Sequence, residues 1–505
     1  MFDIFYIFKW LKKHITTIDV FFILVIVTLF FYSRLIRLDS FPIFGDEGIY
    51  IHWAKTAWHD ASWRFVSLTD GKQPLQTWGT IPFLKLFPTN ALLAGRLFSV
   101  TTGFVGLIGM FCLLFYLFGK RAAFLGTWVY LFTPYFLFYD RMALVDSGVN
   151  AGFIWMLFFS ILLVKTERLD ISLLYGLISG VSLLAKSSIR LFFGLSILAP
   201  ILIIEKNIKK FLEKTINFLA LFGISGVLAL IIYNIQRLSP FLHFVEEKNK
   251  TFIMTFGEFL QTPFAYVKGN LPIIPYYLIA EGGLILFFIG LIGLLLLIKE
   301  NRRLGVYLFL WFIIPYLVIA FFSKVLYPRY LIFLSSLLVI TFSYVLSRIK
   351  NRLMLFGVIA FTIISISYYD YSILFDQTRI PFPPIDRGQY ITGTTAGWGI
   401  KDIVNFARGK SREKKVILIA EGDFGVIGDQ LEVFVNKDDN IQVKGYWPLD
   451  LKNLLENQKE LKKNYVYIVF SHRQQFPSFW PIRLMKQFPK PEGKTSIYFF
   501  ELLAK

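Results

Sequence analysis

The 505-residue chain has a single cysteine, five histidines and few charged residues. One cysteine, Cys112, excludes a disulfide within the chain and a cysteine-based zinc cluster. Asp, Glu, Lys and Arg together make up 17% of the residues, whereas about a quarter is typical of soluble globular proteins. This scarcity of charge, combined with 55% hydrophobic residues, excludes an ordinary soluble protein and indicates a membrane protein.

Phosphate-binding glycine loops are missing as well. The sequence has neither a Walker-type loop nor a dinucleotide fingerprint between a strand and a helix, and so shows no nucleotide-binding motif of these kinds. Acidic residues are fewer than basic ones, 34 against 53, which gives a net charge of +19. In a membrane protein such an excess marks loops held at an anionic leaflet, and we therefore expect no nucleic acid partner.

Long apolar runs dominate the sequence between residues 18 and 370. A run of about 20 apolar residues can cross the hydrocarbon core, where only a helix satisfies the backbone of such a segment. We therefore predict an all-α polytopic membrane fold with about eleven transmembrane helices. The predicted spans are 18–36, 91–117, 122–139, 147–164, 171–185, 190–204, 216–235, 276–298, 304–322, 330–346 and 353–369.

The basic residues predict the orientation of these spans. In one alternating set of loops about one residue in three is Lys or Arg, whereas the opposite loops are longer and poorer in positive charge. By the positive-inside rule the basic set is cytoplasmic, together with the N-terminus. The basic set comprises residues 1–17, 118–123, 165–170, 205–215, 299–303 and 347–352. We therefore predict a multi-pass cell-membrane protein whose long loops and C-terminal region lie outside.

The composition changes at about residue 371. Short β-rich runs, such as 416–420 and 465–470, then alternate with amphipathic stretches, which predicts a small α/β domain. The predicted organisation is a transmembrane module, residues 1–370, with a long first external loop, residues 37–90, and an extracytoplasmic α/β domain, residues 371–505.

Two adjacent carboxylates, Asp46 and Glu47, lie in the first external loop close to the predicted membrane surface. Restricted solvent raises carboxyl pKa values, so the pair suits a general base or a cation site. An acidic helix start is the plainer interpretation, because Asp and Glu favour the first turn of a helix. The local sequence leaves both interpretations open.

Further polar side chains recur at the outer ends of the predicted spans. Each one alone is explained by snorkelling or by anchoring of a helix end. Their occurrence on one side of the membrane, with carboxylates and cations both present, favours a shared site. The set comprises Lys72, Arg141, Asp146, Lys186, Arg329 and Tyr330.

In their order along the chain, these residues resemble the motifs of the GT-C superfamily of membrane glycosyltransferases, particularly the protein O-mannosyltransferase and aminoarabinose transferase group. Each motif is short, whereas their order across most of the chain is specific. One departure is Gln73, which stands where a Lys-Pro-Pro motif has proline. The matching segments are Asp46-Glu47 with Tyr50 and Ala54, Lys72-Gln73-Pro74-Leu75, Arg96-Leu97, Arg141-Met142-Ala143-Leu144, Asp146, Lys186, Arg329-Tyr330-Leu331 and, more weakly, 390–399.

The resemblance implies transfer of a sugar from a polyprenyl phosphate carrier to an acceptor on the outer face, with inversion of the anomeric centre. Such a displacement needs a carboxylate to take the acceptor proton and cations on the departing phosphate. The implied catalytic residues are Asp46, as the base, Glu47, as its support or a metal ligand, and Asp146, which would position Arg141 or the acceptor. The implied substrate-binding residues are Lys72, Arg141, Lys186, Arg329 and Tyr330.

The sequence leaves several alternatives open. A transporter or flippase would also cross the membrane many times, although transporters carry ionisable groups near the bilayer midplane and show internal repeats. A non-catalytic assembly protein that binds a partner through residues 371–505 is a second alternative, and a polymerase or ligase of lipid-linked glycans is a third. The carboxylates suit base catalysis or a divalent cation equally. Neither the sugar nor the acceptor, whether protein, lipid or glycan, is predicted.

Overall fold

The computed structural model describes residues 16–504 and shows a helical membrane module followed by a C-terminal α/β region. Side-chain oxygens of Thr16, Asn90 and Asn351 accept from the first-turn N–H groups of three long helices and fix where these begin. The helices of the module are α1 Thr17–Leu35, α2 Gly45–His59, α3 Leu75–Leu86, α4 Ala91–Phe118, α5 Lys120–Phe132, α6 Pro134–Tyr139, α7 Asp146–Thr166, α8 Leu169–Leu183, α9 Ile189–Leu195, α10 Ile208–Tyr233, α11 His243–Phe252, α12 Phe256–Gln261, α13 Val267–Gly282, α14 Leu284–Glu300, α15 Arg302–Phe322, α16 Ile332–Arg348 and α17 Arg352–Phe375.

Seven helices within residues 16–504 are long and apolar enough to cross a membrane, and the bent pair α13–α14 raises the number to at most eight. The seven are α1, α4, α7, α10, α15, α16 and α17, some of them with a flanking 3₁₀ turn. Each coincides with one predicted span, so the polytopic membrane architecture is confirmed. The predicted number of about eleven spans is not confirmed.

Local breaks account for the difference in number. Pro134 begins α6 and divides the predicted span 122–139, because the residue before a proline disfavours helical geometry. Gly283, at φ +95°, divides the predicted span 276–298 into α13 and α14, and the chain bends by 117° between the two helices. The remaining two predicted spans are the short helices α8 and α9, the second continued by a 3₁₀ turn.

The C-terminal region contains one five-stranded mixed sheet, made of β3 Val416–Glu421, β4 Ile441–Tyr446, β5 Tyr465–Phe470, β6 Ile482–Pro489 and β7 Ser496–Leu502. The strands lie in the order β4-β3-β5-β7-β6. β3 runs parallel to β4 and β5, whereas β7 runs antiparallel to β5 and β6. Buried apolar clusters cover both faces of β3 and β5, which explains their nearly continuous apolar sequences. The elements are α18 Pro384–Arg387, β2 Ala396–Gly397, α19 Ile400–Ser411, β3 Val416–Glu421, α20 Ile427–Phe434, β4 Ile441–Tyr446, α21 Leu451–Asn457, β5 Tyr465–Phe470, β6 Ile482–Pro489 and β7 Ser496–Leu502.

The C-terminal region packs directly on the loop of residues 37–90. The short strand β1, Ile43–Phe44, pairs antiparallel with β2. Next to this pairing α2 contacts α20, where His52 Nδ1 lies 2.7 Å from Asp429 Oδ1. Lys55 Nζ donates to two carbonyl oxygens at the end of α20. These contacts determine the position of α2, which carries the first candidate residue of the site.

Candidate active site

A cavity of about 900 Å³ lies between the loop of residues 37–90, the ends of several membrane helices and the C-terminal region. Apolar side chains of α9 and α15, including Leu191, Ile319 and Phe322, form part of its wall. The wall also carries six cations and four carboxylates. The charged residues are Asp46, Asp70, Lys72, Asp146, Lys186, Arg190, Glu246, Lys248, Lys250 and Arg329.

Asp46 is the second residue of α2, and its carboxylate faces two cations. Arg329 Nη2 lies 2.9 Å from Oδ2, and Lys72 Nζ lies 3.4 Å from Oδ1. Burial disfavours the charged carboxylate, but the positive charges of Lys72 and Arg329 outweigh it and hold the pKa of Asp46 well below its usual range. The C-terminal region fixes the start of α2, because the Gly45 N–H donates to Thr395 O. Asp46 is therefore ionised and directed at the cavity.

Lys72 follows a turn that requires glycine. Gly71 has φ +65°, and a Cβ at this position would lie 2.3 Å from the carbonyl oxygen of Phe244. Beyond Asp46, the Lys72 ammonium also lies 3.6 Å from Asp70, which in turn pairs with Lys248 at 2.7 Å. Asp70 thus holds Lys72 and Lys248 at neighbouring positions on the cavity wall.

Lys186 and Asp146 form a second charged pair. Lys186 lies at the break between α8 and α9, Asp146 begins α7, and their side chains are 3.2 Å apart. The Lys186 ammonium also lies 3.9 Å from the ring centroid of Tyr330, within cation–π distance. Burial lowers the pKa of Lys186, although the neighbouring Asp146 opposes this shift.

Arg329 lies in the 3₁₀ turn Pro328–Leu331 that leads into α16. Its side chain is 10% exposed, and its guanidinium lies within cation–π distance of three aromatic rings. These rings belong to Phe44, Tyr327 and Tyr330, with centroids at 5.5, 5.3 and 5.6 Å. Because a guanidinium is planar and carries five N–H donors, Arg329 has donors left for a second anion besides Asp46.

The structure brings six of the eight candidate residues to this one cavity. They come from sequence segments as far apart as the loop of residues 37–90 and the start of α16. The six are Asp46, Lys72, Asp146, Lys186, Arg329 and Tyr330.

Glu47 is not part of the cavity wall. It is fully buried, and its two oxygens accept from Arg96 Nε and Nη2 at 2.8 and 2.7 Å. The backbone N–H groups of Phe44 and Ala143 donate to the same carboxylate at 3.0 and 2.7 Å. With these four bonds Glu47 ties α2 to α4 and to the turn before α7. Its geometry fits a structural ion pair and not the catalytic or metal-binding role that the resemblance implied.

Arg141 is likewise directed away from the cavity. Its guanidinium donates to carbonyl oxygens at the C-terminal end of α1. A cation is favourable at this end of a helix, because the last carbonyl groups have no partner within the helix. The acceptors are Ser33, Arg34, Ile36 and Arg37. Asp146 is paired with Lys186 instead, so the expected contact between Asp146 and Arg141 does not appear among the hydrogen bonds and ion pairs of residues 16–504.

The sequence reasoning missed parts of the wall. Asp70 is two residues from Lys72 and could have been found from that spacing. Lys248 lies in α11, where alternating charges are typical of a solvated helix face. The C-terminal region contributes Gln389 and Phe424, for which no local pattern in the sequence indicates a position in the site.

The carboxylates of the cavity do not form a metal centre. In the part of the chain that the structure describes, no group of three or more His, Cys, Asp and Glu side chains is placed to hold a metal ion. Asp46, Asp70 and Asp146 each lie next to a cation, which disfavours a divalent ion at the same oxygens. These carboxylates therefore fit ion pairing with the neighbouring cations better than metal binding.

Residues 72–233 match the family model described as dolichyl-phosphate-mannose-protein mannosyltransferase. The match covers about a third of the chain and contains three of the six candidate residues that line the cavity, Lys72, Asp146 and Lys186. No curated protein sequence gives a significant match.

Solved structures are similar over nearly the whole chain. ArnT from Cupriavidus metallidurans bound to undecaprenyl phosphate aligns with a TM-score of 0.61 and 14% identity, covering 95% of this chain and 97% of that one. The apo state of the same protein gives a TM-score of 0.59 with the same identity and coverage. The Archaeoglobus fulgidus oligosaccharyltransferase in complex with zinc and sulfate aligns with a TM-score of 0.52 and 12% identity, over 88% of this chain and 67% of that one. The chain thus has the GT-C fold, and the resemblance found in its motifs is confirmed.

Proposed function

We propose that this GT-C-fold chain is an integral membrane glycosyltransferase that moves a sugar from a polyprenyl phosphate carrier to an acceptor hydroxyl or phosphate at the outer face of the cell membrane. The observation that carries this proposal is the convergence of Asp46 with Lys72, Lys186 and Arg329 around one cavity. The likeness to ArnT, whose solved structure contains undecaprenyl phosphate, supports a polyprenyl-linked donor.

The three cations are suited to the phosphate of such a donor. Lys72, Lys186 and Arg329 provide nitrogen donors around the space that faces Asp46, and hydrogen bonds between ionised partners are the stronger kind. Negative charge develops on the phosphate as the sugar leaves, so fixed cations stabilise the transition state more than the ground state. The apolar part of the wall, on α9 and α15, suits the first isoprene units of the carrier.

Asp46 is suited to activate the acceptor. The acceptor oxygen attacks the anomeric carbon, its proton passes to the Asp46 carboxylate, and the bond from carbon to the phosphate oxygen breaks. The carrier leaves as polyprenyl phosphate with the bonding electron pair. A single displacement of this kind inverts the anomeric centre. Asp146 and Tyr330 position Lys186 on the phosphate side of the reaction.

The predicted orientation places this chemistry outside the cell. The cavity residues lie on the side of the membrane opposite to the basic loops, and the C-terminal region covers the same side through its contacts with α2. The acceptor would therefore enter from the external side, next to the C-terminal region. A labelling experiment with a membrane-impermeant reagent on a cysteine introduced at the exposed Lys494 tests this orientation.

Transfer can be measured with protein purified into lipid nanodiscs. Mass spectrometry of the copurified lipids identifies the donor head group, and the matching polyprenyl phosphate sugar is then offered with protein, lipid and glycan acceptors. We expect Asp46→Asn to lower the transfer rate by a factor of about 10²–10⁴, the usual contribution of a general base.

The matched control is Asp39→Asn, because Asp39 lies in the same loop but pairs at the surface with Lys401 at 3.8 Å. It should transfer sugar at the wild-type rate. Full activity of Asp46→Asn would remove Asp46 from the mechanism. Solute transport across vesicles without turnover of a lipid-linked sugar would contradict the whole proposal.

A further inference from the structure

Lys72 and Arg329, two of the cations of the cavity, are already paired with carboxylates of the chain itself. Arg329 contacts Asp46 at 2.9 Å, and Lys72 lies between Asp46 at 3.4 Å and Asp70 at 3.6 Å. Two of the three side chains suited to a phosphate therefore already hold the carboxylate suited to act as the base. A phosphate bound to Lys72 and Arg329 would lie next to the Asp46 carboxylate, so the two anions must either share or exchange these cations.

We propose that the donor phosphate displaces Asp46 from Lys72 and Arg329, so that the base is released toward the acceptor only after the donor has bound. This inference rests on the proposed function and adds an order of events to it. The donor would bind first, and its own charge would activate the group that deprotonates the acceptor.

Electrostatics favours an exchange, in which the phosphate replaces Asp46 on Lys72 and Arg329, over an arrangement in which both anions share the two cations. A phosphate placed on Lys72 and Arg329 brings negative charge next to the Asp46 carboxylate, and like charges at such distances repel. Asp46 has a 27% exposed side chain on the cavity wall, so it has room to turn toward the cavity interior. Neither cation has to move for this exchange.

The surrounding contacts keep the two cations in place without Asp46. Lys72 remains next to Asp70, which is anchored by Lys248 at 2.7 Å, and Lys72 also lies 5.2 Å from the ring centroid of Tyr50. Arg329 remains between the rings of Phe44, Tyr327 and Tyr330. The phosphate site is thus preformed, and Asp46 is its replaceable partner.

Release also changes the strength of the base. A carboxylate held by two cations binds a proton weakly, because its charged form is stabilised. Once the phosphate takes over both cations, that stabilisation falls and the carboxylate accepts a proton more readily. Donor binding would therefore turn a poor base into an effective one at the moment when the acceptor hydroxyl needs it.

Binding of a water-soluble isoprenoid monophosphate, citronellyl phosphate, to the full-length protein in detergent tests the competition by isothermal titration. Asp46→Asn removes the competing charge and should bind this probe about tenfold more tightly than wild type, as expected for loss of two partly exposed ion pairs. Asp39→Asn should bind it as wild type does. Lys72→Ala should bind it more weakly, and in the double variant Asp46→Asn/Lys72→Ala the gain from Asp46→Asn should shrink, because part of it acts through Lys72.

Unchanged or weaker binding by folded Asp46→Asn, with weaker binding by Lys72→Ala, would overturn this inference alone. Unchanged binding by both variants would instead refute the proposed phosphate site. If Asp46→Asn elutes as aggregate in gel filtration, Asp46→Ser removes the same charge with a smaller side chain and gives the same test.

Discussion

Glu47 and Asp46 are neighbours in sequence, yet we expect their substitutions to affect different properties. Substitution of Glu47 should lower the stability of the fold, whereas substitution of Asp46 should lower the transfer activity. Glu47 is fully buried against Arg96, which is itself fully buried, with both ends of the guanidinium fork engaged. Removing one partner of a buried ion pair leaves the other charge without compensation, which typically costs about 3–5 kcal/mol. The backbone N–H groups of Phe44 and Ala143 would lose their acceptor as well. Glu47→Ala should therefore remove a large part of the folding free energy.

The apparent unfolding midpoint in detergent, followed by tryptophan fluorescence at one fixed heating rate, measures this loss. We expect Glu47→Ala to unfold several degrees below wild type and to give little purified protein. Asp46→Asn loses ion pairs that are partly exposed, so it should lower the midpoint much less. The double variant Glu47→Leu/Arg96→Leu should recover part of the lost stability, because it removes both charges together. A Glu47→Ala variant that unfolds at the wild-type midpoint but lacks transfer activity would refute the structural role and restore Glu47 as a catalytic candidate.

Three further predictions concern Arg329, the contact between α20 and α2, and the buried Lys490. Arg329→Lys keeps the charge but loses the planar fork, so binding of citronellyl phosphate should weaken by about 1–2 kcal/mol in the same titration, and an unchanged affinity would show that charge alone suffices. Asp429→Asn removes the carboxylate charge from the 2.7 Å contact with the partly exposed His52 and should destabilise the docking of α20 on α2 by about 0.5–1 kcal/mol, seen as faster amide exchange in α2 with no change in β5. Burial lowers the pKa of Lys490 to about 7, below its value near 10.4 in an unfolded chain, so the unfolded state binds more protons between these values. The unfolding midpoint should therefore rise as the pH increases from about 7 to 10, and Lys490→Met should flatten that rise; an equal rise in the variant would assign it to other groups.

The membrane architecture could be predicted because hydrophobic length is a local property of the sequence. The seven long spans and the α/β character of the C-terminal region follow from runs and periodicities within single segments. The number of spans could not be predicted as reliably, since an apolar run does not reveal where its helix bends. Pro134 was a visible signal, whereas the bend at Gly283 depends on how α13 and α14 pack against their neighbours.

The sequence by itself therefore determined the membrane class, most of the spans and the residue types of the site. Only the tertiary structure separated Asp46 from Glu47, because the two carboxylates follow each other on α2 and point in different directions, one to the cavity and one to Arg96. In the same way it separated Lys186 from Arg141, which bonds to the end of α1. The physical reason is that charge and hydropathy are properties of single residues, whereas the partner of a buried charge is decided by which distant segments meet when the helices pack.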